Sequence, residues 1–221
     1  ALPLDVETRS LGGARSLSDF DLYVPALLVL ALIMILFTTA ASLVKEVDKR
    51  TMSRLMLSRL GVGEMVAAVS INQMLVGAVA LTLAFGAALT CGYHTEGSLP
   101  ALLVVGALTA LGVVAIGVLT AAFLSSIFEL LTVGVFPFFV LMFFSECMFP
   151  LPKIRMLELA GHTVYANDVL PTAPRVRAFN LILNFGAGLR DLGFELAAIA
   201  FLTVVYFAVG TWLFRRRQMR V

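Results

Sequence analysis

Five stretches of this chain carry no charged side chain: residues 22–44, 65–93, 97–128, 130–145 and 196–214. A hydrocarbon core about 30 Å thick is crossed by about 20 helical residues, so each stretch is long enough to span or nearly span it. Within lipid every backbone polar group needs an internal partner, which a helix provides. No period-two alternation suggests a barrel. The pattern predicts five membrane helices, at about 22–44, 65–91, 100–123, 127–147 and 194–214. The third and fourth stretches nearly merge around Leu124, Ser125 and Ser126, which reads as a tight helix–helix turn with Glu129 near its aqueous edge. Pro137 should kink the fourth helix, because proline removes a backbone donor.

Composition agrees. The chain has 221 residues, 60% hydrophobic and 14% charged, with mean hydropathy +0.99. Soluble domains run near 45–50% apolar and about 25% charged. A soluble fold, a disordered chain and a fibrous repeat are all excluded. The net charge of +2 gives no case for nucleic acid. Cys91 and Cys147 are too few for a disulfide framework, although both fall near the outer face, where an oxidising compartment would let them pair.

The placement of charge sets an orientation. Lys45, Lys49, Arg50, Arg54 and Arg59 follow the first span, and Arg215, Arg216, Arg217 and Arg220 follow the fifth. Five spans put both groups on one side, which the positive-inside rule makes cytoplasmic. The remaining basic residues, Arg9, Arg15, Lys153, Arg155, Arg175, Arg177 and Arg190, then lie outside. The arginine run at 215–217 reads as an anchor and stop signal. Residues 1–21 hold six charges and no apolar core, so they are not a signal peptide and read as the end of an outer segment. Residues 148–192 form an outer loop. Its late apolar patch, Phe179, Leu181, Ile182, Leu183 and Phe185, suits a re-entrant or interfacial segment.

Catalytic motifs are missing. No Walker A loop, His-Glu-x-x-His or Cys-x-x-Cys occurs, and His94 and His162 have no ligand cluster, so neither a metal nor a reaction is assigned to this chain. The most informative segment is 45–64. Met52, Leu55, Met56 and Leu60 recur at helical spacing, Arg50, Arg54 and Ser58 take another face, and Gly61 and Gly63 end the helix. Glu64 suits the first turn of the next helix. Such a helix lies on anionic lipid or docks into a cytoplasmic partner. Glu146 sits at the outer end of the fourth span, where it lines an exit path, binds a cation or reaches water. Asn72 and Gln73, in the second span, line a path or bond between helices.

Segment 45–64 resembles the first cytoplasmic loop of type-2 ABC transporter permeases. Lys45-Glu46 matches the opening of that loop, Thr51 its threonine, Leu55 its leucine and Glu64 the glutamate that starts the next helix; Arg50 and Ser58-Arg59 depart from it. The resemblance extends over most of the chain. Phe143 to Pro150 is similar to the family's segment after the fifth span, with Glu146 replacing a glycine; Asn167 to Thr172 resembles its outer leucine-proline element, and Phe214 to Arg217 its terminal stop. The family has six spans with both ends cytoplasmic, so five spans with the first end outside imply that the first span and an outer domain lie beyond this chain.

The fold implied is an all-α integral membrane permease with five transmembrane helices, a cytoplasmic coupling helix and a re-entrant or interfacial outer segment. The implied role is the membrane subunit of an ABC-type exporter, a transport subunit and not an enzyme, with hydrolysis expected in a separate ATP-binding cassette subunit that holds ATP and magnesium. A second permease chain completes it, in a bacterial inner membrane with the C-terminus cytoplasmic. Glu46, Thr51, Arg54, Leu55 and Glu64 are the candidate coupling residues. Glu146, Pro150, Asn72 and Gln73 are the candidates for a substrate path or outer gate. The competing readings are a secondary transporter or channel without an ATPase, which predicts paired charges within the spans, and a non-transporting assembly factor.

Overall fold

A computed structural model describes residues 19–49, 61–95, 97–144, 147, 155–159, 162–165, 173–188 and 192–218. The five candidate spans are all helical. The first, Phe20–Asp48, comprises α1 (Asp19–Ile33) and α2 (Ile35–Asp48), divided at Met34. The second is α3 (Val62–Thr90) and the third α4 (Leu99–Ala121). The fourth is broken into α5 (Ile127–Thr132) and α6 (Val135–Phe144), and the fifth belongs to α8 (Gly193–Gln218). Between the last two spans lie a short antiparallel hairpin, β1 (Arg155–Leu159) with β2 (His162–Tyr165), and the helix α7 (Ala173–Phe185).

The break in the fourth span has a local cause. Pro137 has no N–H to give the carbonyl of Val133, and its ring crowds that oxygen. The carbonyl instead accepts from the amide of Phe136 at 3.1 Å, a tighter turn that separates α5 from α6. The preceding turn is closed reciprocally. The backbone N–H of Glu129 donates to Ser126 Oγ at 3.2 Å, and Glu129 Oε2 accepts from the amide of Ser125 at 2.6 Å. Two otherwise orphaned helix-start donors are thereby satisfied.

The bundle is organised around α4, which packs most extensively on α8 and then on α2, α3 and α7. Val105, Val113, Val114 and Val118 are wholly buried. Lipid tails are as apolar as these side chains, so burial alone gives little drive for helices to associate in a membrane; close packing must supply it. Small residues make that possible. A methyl at Gly117 would stand 2.7 Å from Thr39 Cβ of α2, so the absence of a side chain sets how closely the two helices approach. By contrast Gly86 faces open space. The outward faces remain apolar, with Leu75 and Leu83 of α3, Phe136 of α6, and Phe201 and Val204 of α8 all exposed. Such a surface suits hydrocarbon and not water.

The ends of the bundle differ. One carries the turn after α3, with Tyr93, and the beginning of α1. The other carries Lys45 and Lys49 at the close of α2, the turn between α4 and α5, and the arginines that end α8. There Gln218 Nε2 donates to the carbonyl of Leu124 at 3.0 Å, Arg217 lies 4.5 Å from the Phe123 ring centroid and Arg216 lies 5.1 Å from that of Trp212. These cation–π contacts tie the arginine run back to the bundle.

Candidate functional site

The segment that the sequence marks as re-entrant or interfacial runs into the bundle. Helix α7 lies antiparallel to the first part of α4, wedged against α1, α4 and α8. Three α4-side positions track it: a side chain at Gly97 would meet Ile182, one at Gly106 would approach Phe179, and one at Gly112 would overlap the Arg175 guanidinium. Gly112 is thirteen residues past Leu99, which places it about 20 Å along α4. The start of α7 is therefore near the middle of the bundle and its end is near the Tyr93 turn.

That outer end is a polar clasp. Tyr93 Oη donates to Asn184 Oδ1 at 2.8 Å, and Asn184 Nδ2 donates to the carbonyl of Asp21 and to Asn180 Oδ1, both at 3.0 Å. Thr95 Oγ1 donates to the carbonyl of Leu183 at 3.3 Å and accepts from the amide of Gly97 at 3.0 Å. One amide side chain thus joins α7, α1 and the turn after α3. Burial, and then the nearby negative charge of Asp21, push the Tyr93 hydroxyl up to about 12. The phenol consequently stays a donor well above its ordinary titration range.

The inner end differs in kind. Arg175 has no exposed surface. Its Nη2 donates to Thr203 Oγ1 of α8 at 2.8 Å, while that hydroxyl donates to the carbonyl of Ile199 at 2.7 Å. Nε and Nη1 are buried with no hydrogen-bond partner among the described residues. The guanidinium fits only because residue 112 is glycine. This corrects the outer-loop placement of Arg175: it is not a solvated loop charge but an interior one. A signal for it exists in the sequence. Arg175 precedes Phe179 and Ile182 by four and seven residues, so it belongs to the same helical stripe as the residues that bury. Pro171 and Pro174 make the region read as loop and hide that stripe.

The candidates named from sequence are scattered. Gln73 is buried in α3 and bridges to α2: Thr38 Oγ1 donates to Gln73 Oε1 at 2.8 Å, and Gln73 Nε2 donates to Ser42 Oγ at 3.5 Å. Asn72, its neighbour, faces outward. Glu46 is half-buried near the end of α2. Glu64 is exposed and accepts from the amide of Gly61 at 2.9 Å, capping α3. Gly61 is thus the cap of α3 and Gly63 lies inside that helix, so the two glycines open the second span; the loop helix they were expected to end lies outside the described residues. Thr51, Arg54 and Leu55 lie outside the described residues, as do Glu146 and Pro150. Cys91 is exposed and Cys147 buried, and no disulfide joins them. A separate apolar cavity of about 240 Å³ lies between α3 and α4, lined by Met74, Gly77, Leu81, Leu103, Gly106 and Ala110 among others.

A family model described as ABC-2 family transporter protein matches residues 1–212. No curated protein and no solved structure matches the chain.

Proposed function

The chain belongs to the ABC-2 transporter family, and from that premise we propose that it is the permease subunit of an ATP-driven exporter, with hydrolysis performed by a separate ATP-binding cassette subunit. Family membership and five candidate spans make it an integral membrane component of transport. The family match over residues 1–212 is the observation that carries the finer reading. Residues 45–64 are the coupling segment, in which Glu46, Thr51, Arg54, Leu55 and Glu64 face the ATPase. That segment joins the end of the bundle that also carries Arg215, Arg216 and Arg217, so this end is cytoplasmic by the positive-inside rule. A second permease chain, and a bacterial inner membrane as the setting, complete the proposal. Glu146, Pro150, Asn72 and Gln73 belong to the path or its outer gate.

Co-expression of the full chain with the ATPase subunit tests the reading. The wild-type chain should co-purify with the ATPase and stimulate substrate-dependent hydrolysis. The double substitution Arg54→Glu with Leu55→Ala should abolish the association while leaving the permease folded. Association undiminished by that pair removes the docking role of the segment. Transport that proceeds with no ATPase present would favour the secondary-transporter reading instead.

A further inference from the structure

Among the described residues Arg175 is the one charged side chain that is fully buried. A charge in the interior of a membrane bundle is expensive and is retained where it has a partner or a task. Among the described residues one neutral hydroxyl, Thr203 Oγ1, accepts from it and spends its own proton on the carbonyl of Ile199. A guanidinium has five N–H donors in a fixed fork and cannot readily shed its charge. With Nε and Nη1 left without acceptors among the described residues, the residue is built for more than it holds. Gly112 of α4 and Thr203 of α8 lie directly against the guanidinium, and Tyr206 of α8 is close enough to interact with its charge. The missing partner is therefore a negatively charged acceptor, and one that matches the fork in shape.

We infer that Arg175 holds an oxyanion, a carboxylate or a phosphate, at the middle of the bundle, and that the transported molecules carry such a group. Only the second half of this inference rests on the transport reading. Access follows from the unequal fastening of α7. Its outer end is held by the clasp at Asn184, whereas its inner end is tied to α8 by the Arg175–Thr203 bond. Helix α7 swings about the clasp, the guanidinium leaves Thr203, and the oxyanion takes the vacated donor together with the idle ones. The anion arrives either on an amphiphile from the bilayer or as a free solute, and these two sources give different results in one experiment.

The full chain is placed in nanodiscs of phosphatidylcholine alone, or of equal parts phosphatidylcholine and phosphatidylglycerol. The phosphatidylcholine discs are also titrated with inorganic phosphate. Thermal unfolding midpoints are read with and without each anion, and lipid retained after detergent extraction is counted by native mass spectrometry. Wild type should gain stability with an anion and Arg175→Gln should bind it about tenfold more weakly, as loss of a charge-assisted hydrogen bond implies. Arg177→Gln, two positions along the same helix, should behave as wild type. A shift with phosphatidylglycerol assigns a lipid-borne anion, and a shift with inorganic phosphate assigns a free one. The same response from wild type and Arg175→Gln to both probes overturns the site. Where Arg175→Gln does not fold, Thr203→Val decides: removing the neutral partner should enlarge the anion-induced shift, and an unchanged shift overturns the site. No ATP and no partner subunit enter the measurement, so its failure leaves the transport reading standing, and loss of ATPase association would leave the anion site standing.

Discussion

The two ends of α7 solve the problem of a buried polar group in opposite ways. At Asn184 the amide oxygen accepts a hydrogen bond and the amide nitrogen donates two, and three separate parts of the chain meet on it. At Arg175 a full charge has, among the described residues, one neutral acceptor and two idle nitrogens. A satisfied polar group in low dielectric fixes structure, and an unsatisfied one costs free energy until something fills it. The clasp is there to hold α7 in place, and the guanidinium is there to meet a ligand.

The largest effect is expected at the notch that admits the charge. Gly112→Val forces side-chain atoms into the guanidinium and Thr203, and overpacking of this kind costs about 3 kcal/mol. Unfolding of the full chain in mild detergent measures it. A loss no greater than that from Gly86→Val, which meets open space, would mean that α7 is not seated as described.

Next in size is the clasp itself. Asn184→Leu strands the Tyr93 hydroxyl and the Asp21 carbonyl, and leaving buried groups without partners costs about 2 kcal/mol. Hydrogen exchange should accelerate at the end of α7 before it does in α4. Uniform acceleration throughout the bundle would show that the clasp is not a local fastening.

The smallest effect sharpens the picture through pH. Tyr93→Phe removes one hydrogen bond, worth about 1 kcal/mol. The folded hydroxyl titrates near 12 against 10 for an ordinary tyrosine, so the folded state keeps its proton where the unfolded chain has lost it. This stability is fully present below pH 10 and is lost as pH rises from 10 to 12. The difference in unfolding midpoint between wild type and Tyr93→Phe should shrink across that window. A constant difference would place the hydroxyl in water.

Much of the bundle was legible in the chain because it depends on local physics. Residues 97–128 carry no charge and must be covered by lipid or protein, whatever packs against them. Glu129 three residues after Ser126 announces a helix start, and Pro137 announces the break that appears four residues earlier at Val133. Gln73 was legible as a polar residue in a span, but its bridge to Thr38 and Ser42 depends on a neighbour more than thirty residues away in sequence. The candidate coupling residues Thr51, Arg54 and Leu55 rest on sequence alone.

Hydropathy, capping and proline geometry act within a few residues, so the chain alone shows which segments are apolar enough to lie in a bilayer, where helices start and break, and where charge accumulates. The depth of α7 is set by packing. An arginine beside two prolines looks solvated until Gly112 of one helix and Thr203 of another are brought against it from positions 63 residues before and 28 residues after it. Burial of a charge is a property of the space around it, and that space is assembled from distant parts of the chain.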